Sequence, residues 1–317
     1  MLAAPVTENR MTAPAFALTA IAATANPAVY ATLDDWLAAR NLVPIRTRDV
    51  PVPRSLSDRR LCRTMWISAA AVPASIAAEL RQLSEDSGID LIWQEMASRQ
   101  RDYRLAIFDM DSTLIRCEVI DELATEAGVG EAVSTITEQA MRGEIDFQES
   151  FRRRLSMLRG LPEEALMSIA GRLPVTEGMP ELITTLRARG IYTAIVSGGF
   201  TYFAEYLQRH YGFDRVLANA LEIIDQRVTG RVLGDIIDGP AKRDWLMALA
   251  SELAIEPEQI IAVGDGANDI PMLQAAGLGV AFQAKPRVRE VVPCAINFSG
   301  LDSVLYLLGS KSELHVD

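Results

Sequence analysis

The sequence is poor in the residues on which many enzymes depend. Its 317 residues include three cysteines, Cys62, Cys117 and Cys294, far apart and without a CxxC spacing. That distribution argues against a zinc knuckle or a redox pair and predicts reduced thiols in a cytoplasmic protein. There are two histidines, His210 and His315, the second almost at the C-terminus. A His-rich metal centre and a Ser/His/Asp triad therefore lack their materials, and catalysis has to run on carboxylates. Positive charge is also in deficit: 31 Lys and Arg stand against 42 Asp and Glu, a formal net charge of -11. Such a surface repels polyanions, and no basic stretch carries interleaved aromatics, so nucleic acid is not an expected partner.

From Met11 to Leu33 charged side chains are missing altogether. A signal peptide or membrane span is nevertheless not expected. Pro14 and Pro27 interrupt the segment, Thr12, Thr19, Thr24, Asn26 and Thr32 dilute it, and only Arg10 precedes it where a basic region should be. A short buried strand over Phe16 to Ala23, then a helix with Pro27 at its first position, accounts for it better.

The length allows two domains. Residues 1–13 carry no periodic pattern and are expected to form a flexible arm. Strands over Phe16 to Ala23, Leu42 to Val50, Arg63 to Ala70 and Ile89 to Glu95, with helices over Pro27 to Arg40 and Pro73 to Ser87, predict a βαββαβ ferredoxin-like domain over 14–100. The polar stretch Ser98 to Arg104 reads as a linker. Beyond it, buried strands are predicted at Leu105 to Phe108, Tyr192 to Ser197, Ile260 to Asp265 and Leu278 to Phe282. Helices are predicted at Met179 to Arg189, Thr201 to Tyr211, Ala241 to Leu253 and Ile270 to Ala275. Strands alternating with helices imply an α/β, doubly wound parallel sheet over 104–309. The insertion at about 118–175 reads as a helical cap, with helices near 118–127, 131–141, 147–158 and 163–172. It is placed to act as a lid over the carboxyl ends of the strands.

In such a sheet the ligand crevice lies where the strands end. The first run ends in Asp109-Met110-Asp111-Ser112-Thr113-Leu114, the second in Ser197-Gly198-Gly199, the third in Gly264-Asp265-Gly266-Ala267-Asn268-Asp269, and Lys242 opens a helix after Gly239-Pro240. Ser197 with Gly198 and Gly199 supplies a hydroxyl and unhindered N–H groups for a phosphate. Taken singly, the acids are also ordinary turn formers, the glycines a loop, and the lysine a surface charge. A dinucleotide-binding domain, the competitor from a different class, needs GxGxxG after the first strand. Here that turn is acidic, which would repel a pyrophosphate and points to a metal.

The string DMDSTL, the later SGG, Lys242 and GDGAND, in that order, resemble the motifs of haloacid dehalogenase-type phosphatases over 104–309. The resemblance implies Mg²⁺ held by Asp109, the backbone carbonyl of Asp111, and Asp265, with Asp269 a direct or water-mediated ligand. It implies Asp109 as the nucleophile that forms an aspartyl phosphate and Asp111 as general acid and base. Ser197, Gly198, Gly199 and Lys242 would bind phosphoryl oxygens, with Asn268 supporting Lys242 or the phosphate. Dehalogenase activity is disfavoured, because those enzymes lack a second acid at the position of Asp111.

Within the insertion, IRCEVIDELA and MRGEIDFQESFRRRLSML resemble the phosphoserine phosphatases of that family. This implies that Glu118 meets the substrate ammonium and Arg154 its carboxylate, while Phe147 covers the site. Read alone, Arg154 belongs to a run with Arg152 and Arg153 that a solvated helix face would also produce. The implied activity is Mg-dependent hydrolysis of phosphoserine, the last step of serine biosynthesis. The alternatives are another small phosphomonoester, transfer of the phosphate to another alcohol, or a non-enzymatic nucleotide- or amino-acid-binding module. The first domain resembles ACT domains in its topology, which implies an amino-acid effector or a role in forming a homodimer. No glycine precedes Gly88, however, whereas amino-acid-binding ACT domains usually have one at the first strand-helix turn.

Overall fold

The computed structural model describes residues 15–23, 29–50, 60–68, 72 and 75–309. The expected arm over 1–13, the helix start at Pro27, the strand end at Ala70 and His315 lie outside the described residues. The chain divides into two compact units, one of residues 1–100 with 306–317 and one of residues 101–305.

In the first unit β1 (Phe16–Ala22), α1 (Val29–Ala38), β2 (Pro44–Val50), β3 (Leu61–Ile67), α2 (Ile76–Ser87), β4 (Ile89–Glu95) and α3 (Met96–Arg99) follow one another. The described strands make an antiparallel sheet in the order β2-β3-β1-β4. One sheet face, with Leu18, Ala20, Met65 and Leu91, packs on Tyr30, Leu33 and Leu37 of α1 and on Ile76 and Leu80 of α2. The two-residue alternation of the strands and the helical spacing on α1 and α2 thus meet in one core. α2 stops at Gly88, whose φ of +67° lets its N–H return to the Ser84 carbonyl.

The expected linker begins later than Ser98, because Ser98 and Arg99 close α3. Arg99 is buried, and its Nη1 donates to the Tyr306 carbonyl at 2.9 Å and to Thr19 Oγ1 at 3.2 Å. A polar string conceals such a residue, since its partners lie far away in sequence. Gly309 N–H donates to the Arg99 carbonyl at 2.9 Å, so residues 306–309 join this unit rather than the one with which they were grouped from the sequence.

The second unit opens with β5 (Leu105–Phe108), fully buried, and continues through the cap helices α4 (Val119–Glu126), α5 (Gly130–Met141), α6 (Phe147–Met157) and α7 (Glu163–Ala170). Then come α8 (Met179–Ala188), β6 (Tyr192–Phe200), α9 (Thr201–Tyr211), β7 (Arg215–Ile224), β8 (Arg227–Leu233), α10 (Gly239–Glu252), β9 (Ile260–Gly264), α11 (Ile270–Ala275), β10 (Leu278–Phe282), α12 (Pro286–Val291) and β11 (Cys294–Ile296). The described strands form a seven-stranded sheet in the order β11-β10-β9-β5-β6-β7-β8. All neighbours are parallel except β7 and β8, so the sheet is mixed at one edge.

The β7-β8 hairpin was not anticipated from sequence, for a definable reason. Its turn is Asp225-Gln226, with φ of +51° and +60°, in place of the Asn-Gly or Asp-Gly pair that announces such turns. β6 likewise runs on to Phe200, through two glycines that read as a loop. Its pairing with β7 breaks between Val196 and Phe200, which releases the Ser197-Gly198-Gly199 backbone from the ladder. Among the described residues no helix is long and apolar enough to cross a membrane.

Candidate active site

β5 sits between β9 and β6, so the residue after it emerges at the middle of the sheet's carboxyl edge. That residue is Asp109. Its Oδ1 accepts from its neighbour's Met110 N–H at 2.7 Å and lies 2.8 Å from Lys242 Nζ. Lys242 comes from the first turn of α10, which Asp238 caps by accepting the Ala241 N–H at 3.0 Å. Lys242 Nζ also donates to Asp269 Oδ1 at 2.7 Å, while Asp269 Oδ2 accepts from the N–H groups of Asp265 (3.1 Å) and Gly266 (2.9 Å). Burial alone would lower the Lys242 ammonium, but Asp109 and Asp269 outweigh it and raise the group above its ordinary range.

Carboxylate oxygens of Asp109, Asp265 and Asp269 lie within 4.8 Å of one another, and all three residues are buried. Burial, then repulsion from Asp269, pushes Asp109 well above the usual carboxylate range against the pull of Lys242. The same two causes push Asp265 up to about 7. Asp111 is raised as well, by burial and by the charges of Glu118 and Asp109. Its Oδ1 has no hydrogen-bond partner among the described residues. The approach of the second strand end to Asp111 demands glycine: a Cβ on Gly199 would lie 2.7 Å from Asp111 Oδ2. Gly199 N–H donates to Ser197 Oγ at 2.8 Å.

One cavity of about 760 Å³ gathers the candidates. Asp109, Asp111, Glu118, Phe147, Arg154, Ser197, Gly198, Gly199, Asp265 and Asn268 line it, and Lys242 and Asp269 lie buried behind Asp109. From the cap, Glu118 enters at the N-terminus of α4 and accepts from Ser112 Oγ at 2.9 Å. Phe147, Ser150, Phe151 and Arg154 line it from a single face of α6, at the i, i+3, i+4, i+7 spacing. Arg152 and Arg153 instead lie exposed on Gln148 and Glu149. Burial lowers the Arg154 guanidinium, opposed by Asp121, Glu118 and Asp111, and its Nε has no partner among the described residues.

Several residues of the site were missed from sequence. Asp121, Lys285 and Arg287 also line the cavity. Asp121 sits one helical turn after Glu118, a spacing that could have flagged it. Asn219 of β7, buried, donates to the Gly198 carbonyl at 2.8 Å and accepts the Ile237 N–H at 3.0 Å. It thereby ties the glycine turn to the segment leading into α10, and no local sequence pattern signals this.

Comparison with known proteins agrees with this geometry. Residues 106–274 match the family model described as haloacid dehalogenase-like hydrolase. A phosphoserine phosphatase of Archaeoglobus fulgidus is 46% identical over 237 residues, 74% of this chain and 69% of that protein. A phosphoserine phosphatase of Haemophilus influenzae is 38% identical over 281 residues, 89% of this chain and 81% of that protein. Among solved structures, a probable phosphoserine phosphatase from Vibrio cholerae superposes with a TM-score of 0.76 at 35% identity, covering 92% of this chain and 86% of that one.

Proposed function

The chain belongs to the haloacid dehalogenase-like hydrolases, and on that premise we infer that it is a phosphoserine phosphatase, converting O-phospho-L-serine and water to serine and phosphate. The observation that carries the substrate is the presence of Glu118 and Arg154 on the wall of the same cavity as Asp109 and Asp111. An anion and a cation beside two reactive carboxyls match a zwitterion that carries a phosphate.

The acidic cluster fits a divalent cation, as phosphatases of this family generally use. Asp109 and Asp265 offer hard oxygen donors, and Asp265 is raised to about 7, first by burial and then by the neighbouring charge of Asp269, which a cation would offset. Asp109, Asp265 and the Asp111 carbonyl would hold Mg²⁺. Asp269, with both oxygens already engaged by Lys242 and two backbone N–H groups, would act through water. The ion supplies charge neutralisation between the carboxylates and the dianionic substrate.

The chain's own residues divide the rest of the work. Lys242 and the Met110 N–H hold Asp109 Oδ1, which orients the carboxylate for attack on phosphorus. The new bond joins Asp109 to phosphorus as the bond to the serine oxygen breaks. Asp111, whose carboxyl is raised by burial and by its anionic neighbours and so keeps its proton more readily, gives that proton to the departing serine oxygen. It then takes a proton from the water that attacks the aspartyl phosphate, which restores Asp109 and frees phosphate. Ser197, the Gly198 and Gly199 backbone and Lys242 bind phosphoryl oxygens with fixed donors. Phe147 closes the cavity: a Cβ on Gly198 would lie 3.6 Å from Phe147 Cζ.

Phosphate release from phosphoserine, phosphothreonine, a sugar phosphate and p-nitrophenyl phosphate, with Mg²⁺ and with chelator, tests this reading. Phosphoserine should show the highest kcat/KM, and chelation should abolish turnover until Mg²⁺ is restored. Indifference to chelation would remove the catalytic reading. A sugar phosphate outperforming phosphoserine would keep the reaction and change the substrate.

A further inference from the structure

Glu118 occupies the N-cap position of α4 but does not cap it: its side chain accepts from none of the helix's first N–H groups. The side chains that favour this position are Asp, Asn, Ser and Thr, so the longer glutamate is available to another partner. Here Glu118 Oε1 accepts instead from Ser112 Oγ at 2.9 Å, on the wall of the cavity. Ser112 reaches it because its backbone is left-handed, with φ of +58°, and its N–H donates to the Cys117 carbonyl at 3.3 Å, closing the loop between the two residues. Residues with a Cβ seldom adopt that conformation, in which glycine is at ease. A serine in such a place, with its hydroxyl spent on one carboxylate, marks the hydroxyl as the useful part.

We propose that Ser112 is a positioning residue for substrate specificity, holding the Glu118 carboxylate into the cavity and away from the N–H groups of its own helix. The assignment rests on the phosphoserine reading, since it concerns recognition of the ammonium of an amino-acid phosphomonoester. Ser112 acts through Glu118, and the nucleophile Asp109 is held by other contacts, Lys242 and the Met110 N–H. Without the hydroxyl, Glu118 is free to fall back on the α4 terminus, and the ammonium loses a fixed partner.

The test measures the ratio of kcat/KM for phosphoserine to that for p-nitrophenyl phosphate, which has no ammonium. Ser112→Gly removes the hydroxyl while suiting the left-handed backbone, so its melting temperature should equal or exceed that of the parent. Ser112→Ala removes the same hydroxyl and serves as the second variant. Both should lower the ratio about tenfold, chiefly through KM for phosphoserine, as expected for weakening one charge-assisted contact. In a Glu118→Gln background, Ser112→Gly should lower it no further, because the two changes disable one device. A ratio kept by Ser112→Gly, or a full further drop in the Glu118→Gln background, overturns the assignment alone. A parent enzyme with no preference for phosphoserine overturns the substrate reading and this assignment with it.

Discussion

Lys242 donates to Asp269 across 2.7 Å with both side chains fully buried, and the same ammonium lies 2.8 Å from Asp109. One fully buried cation thus serves two carboxylates at once. Lys242→Met should therefore cost stability as well as activity. Breaking a buried pair by removing one partner costs about 3–5 kcal/mol, because the remaining charge is left uncompensated. Urea unfolding of the metal-free variant should show a loss of that order, and an unchanged midpoint would contradict the arrangement.

Asp265 leads to a prediction with opposite signs in two conditions. Burial and Asp269 raise its carboxyl to about 7 in the metal-free protein. A carboxyl raised above its unfolded value lets the folded state keep its proton longer, so this group costs stability progressively as pH rises towards 7. Above that value the cost is complete. At about pH 8, Asp265→Asn should consequently melt no lower than the parent in chelator. With saturating Mg²⁺ the order should reverse, since a ligand bound to the folded state stabilises it in proportion to the logarithm of its excess over Kd. Thermal melts of both proteins with and without Mg²⁺ decide the matter. A parent whose melting point ignores Mg²⁺ would argue against a cation at this cluster.

Asn219 joins the Gly198 carbonyl to the Ile237 N–H, and its loss should be felt wherever the phosphate is held. Asn219→Ala strands two half-buried backbone groups, each costing up to about 1–3 kcal/mol. Turnover of phosphoserine and of p-nitrophenyl phosphate should fall alike, by about tenfold or more if roughly half of that cost reaches the reacting geometry. Asn219→Asp, which can still accept from Ile237 but cannot donate to Gly198, should fall nearly as far. A loss confined to phosphoserine would show that Asn219 serves the cap instead.

What could be read from the sequence follows from how local each signal is. Asp109 and Asp111 were legible because a fully apolar strand, Leu105 to Phe108, runs straight into them. Lys242, alone, is indistinguishable from a surface lysine. Its burial follows from helix α10 starting behind Asp109, which only the order of several motifs could imply. Arg154 stands among three consecutive arginines, yet it shares a helical face with Phe147 and Phe151, and that period separates it from Arg152 and Arg153. Asn219 was illegible, since its partners Gly198 and Ile237 meet it only after β6, β7 and the approach to α10 are assembled. The β7-β8 hairpin was hidden by a turn of Asp225 and Gln226, whose side chains give no warning of their positive φ values.

The choice of substrate rests on Arg154, which lines the cavity with its Nε unpaired among the described residues. An unpaired guanidinium nitrogen on the cavity wall, partly drawn from water and in the field of Asp121 and Glu118, is available to an incoming carboxylate. Arg154→Ala removes the partner that a phosphoserine carboxylate would find. A charge-assisted hydrogen bond is worth about 1.5–3 kcal/mol, so kcat/KM for phosphoserine should fall about 10- to 150-fold. p-Nitrophenyl phosphate has no carboxylate to lose, and its kcat/KM should fall far less. Glu118→Gln should reproduce the asymmetry through the ammonium. An arginine stem can add packing of its own, so each variant must first melt near the parent temperature. Equal losses on both substrates would mean that Arg154 supports the fold of α6 or the phosphate site, and the physical case for phosphoserine over other phosphomonoesters would fall with it.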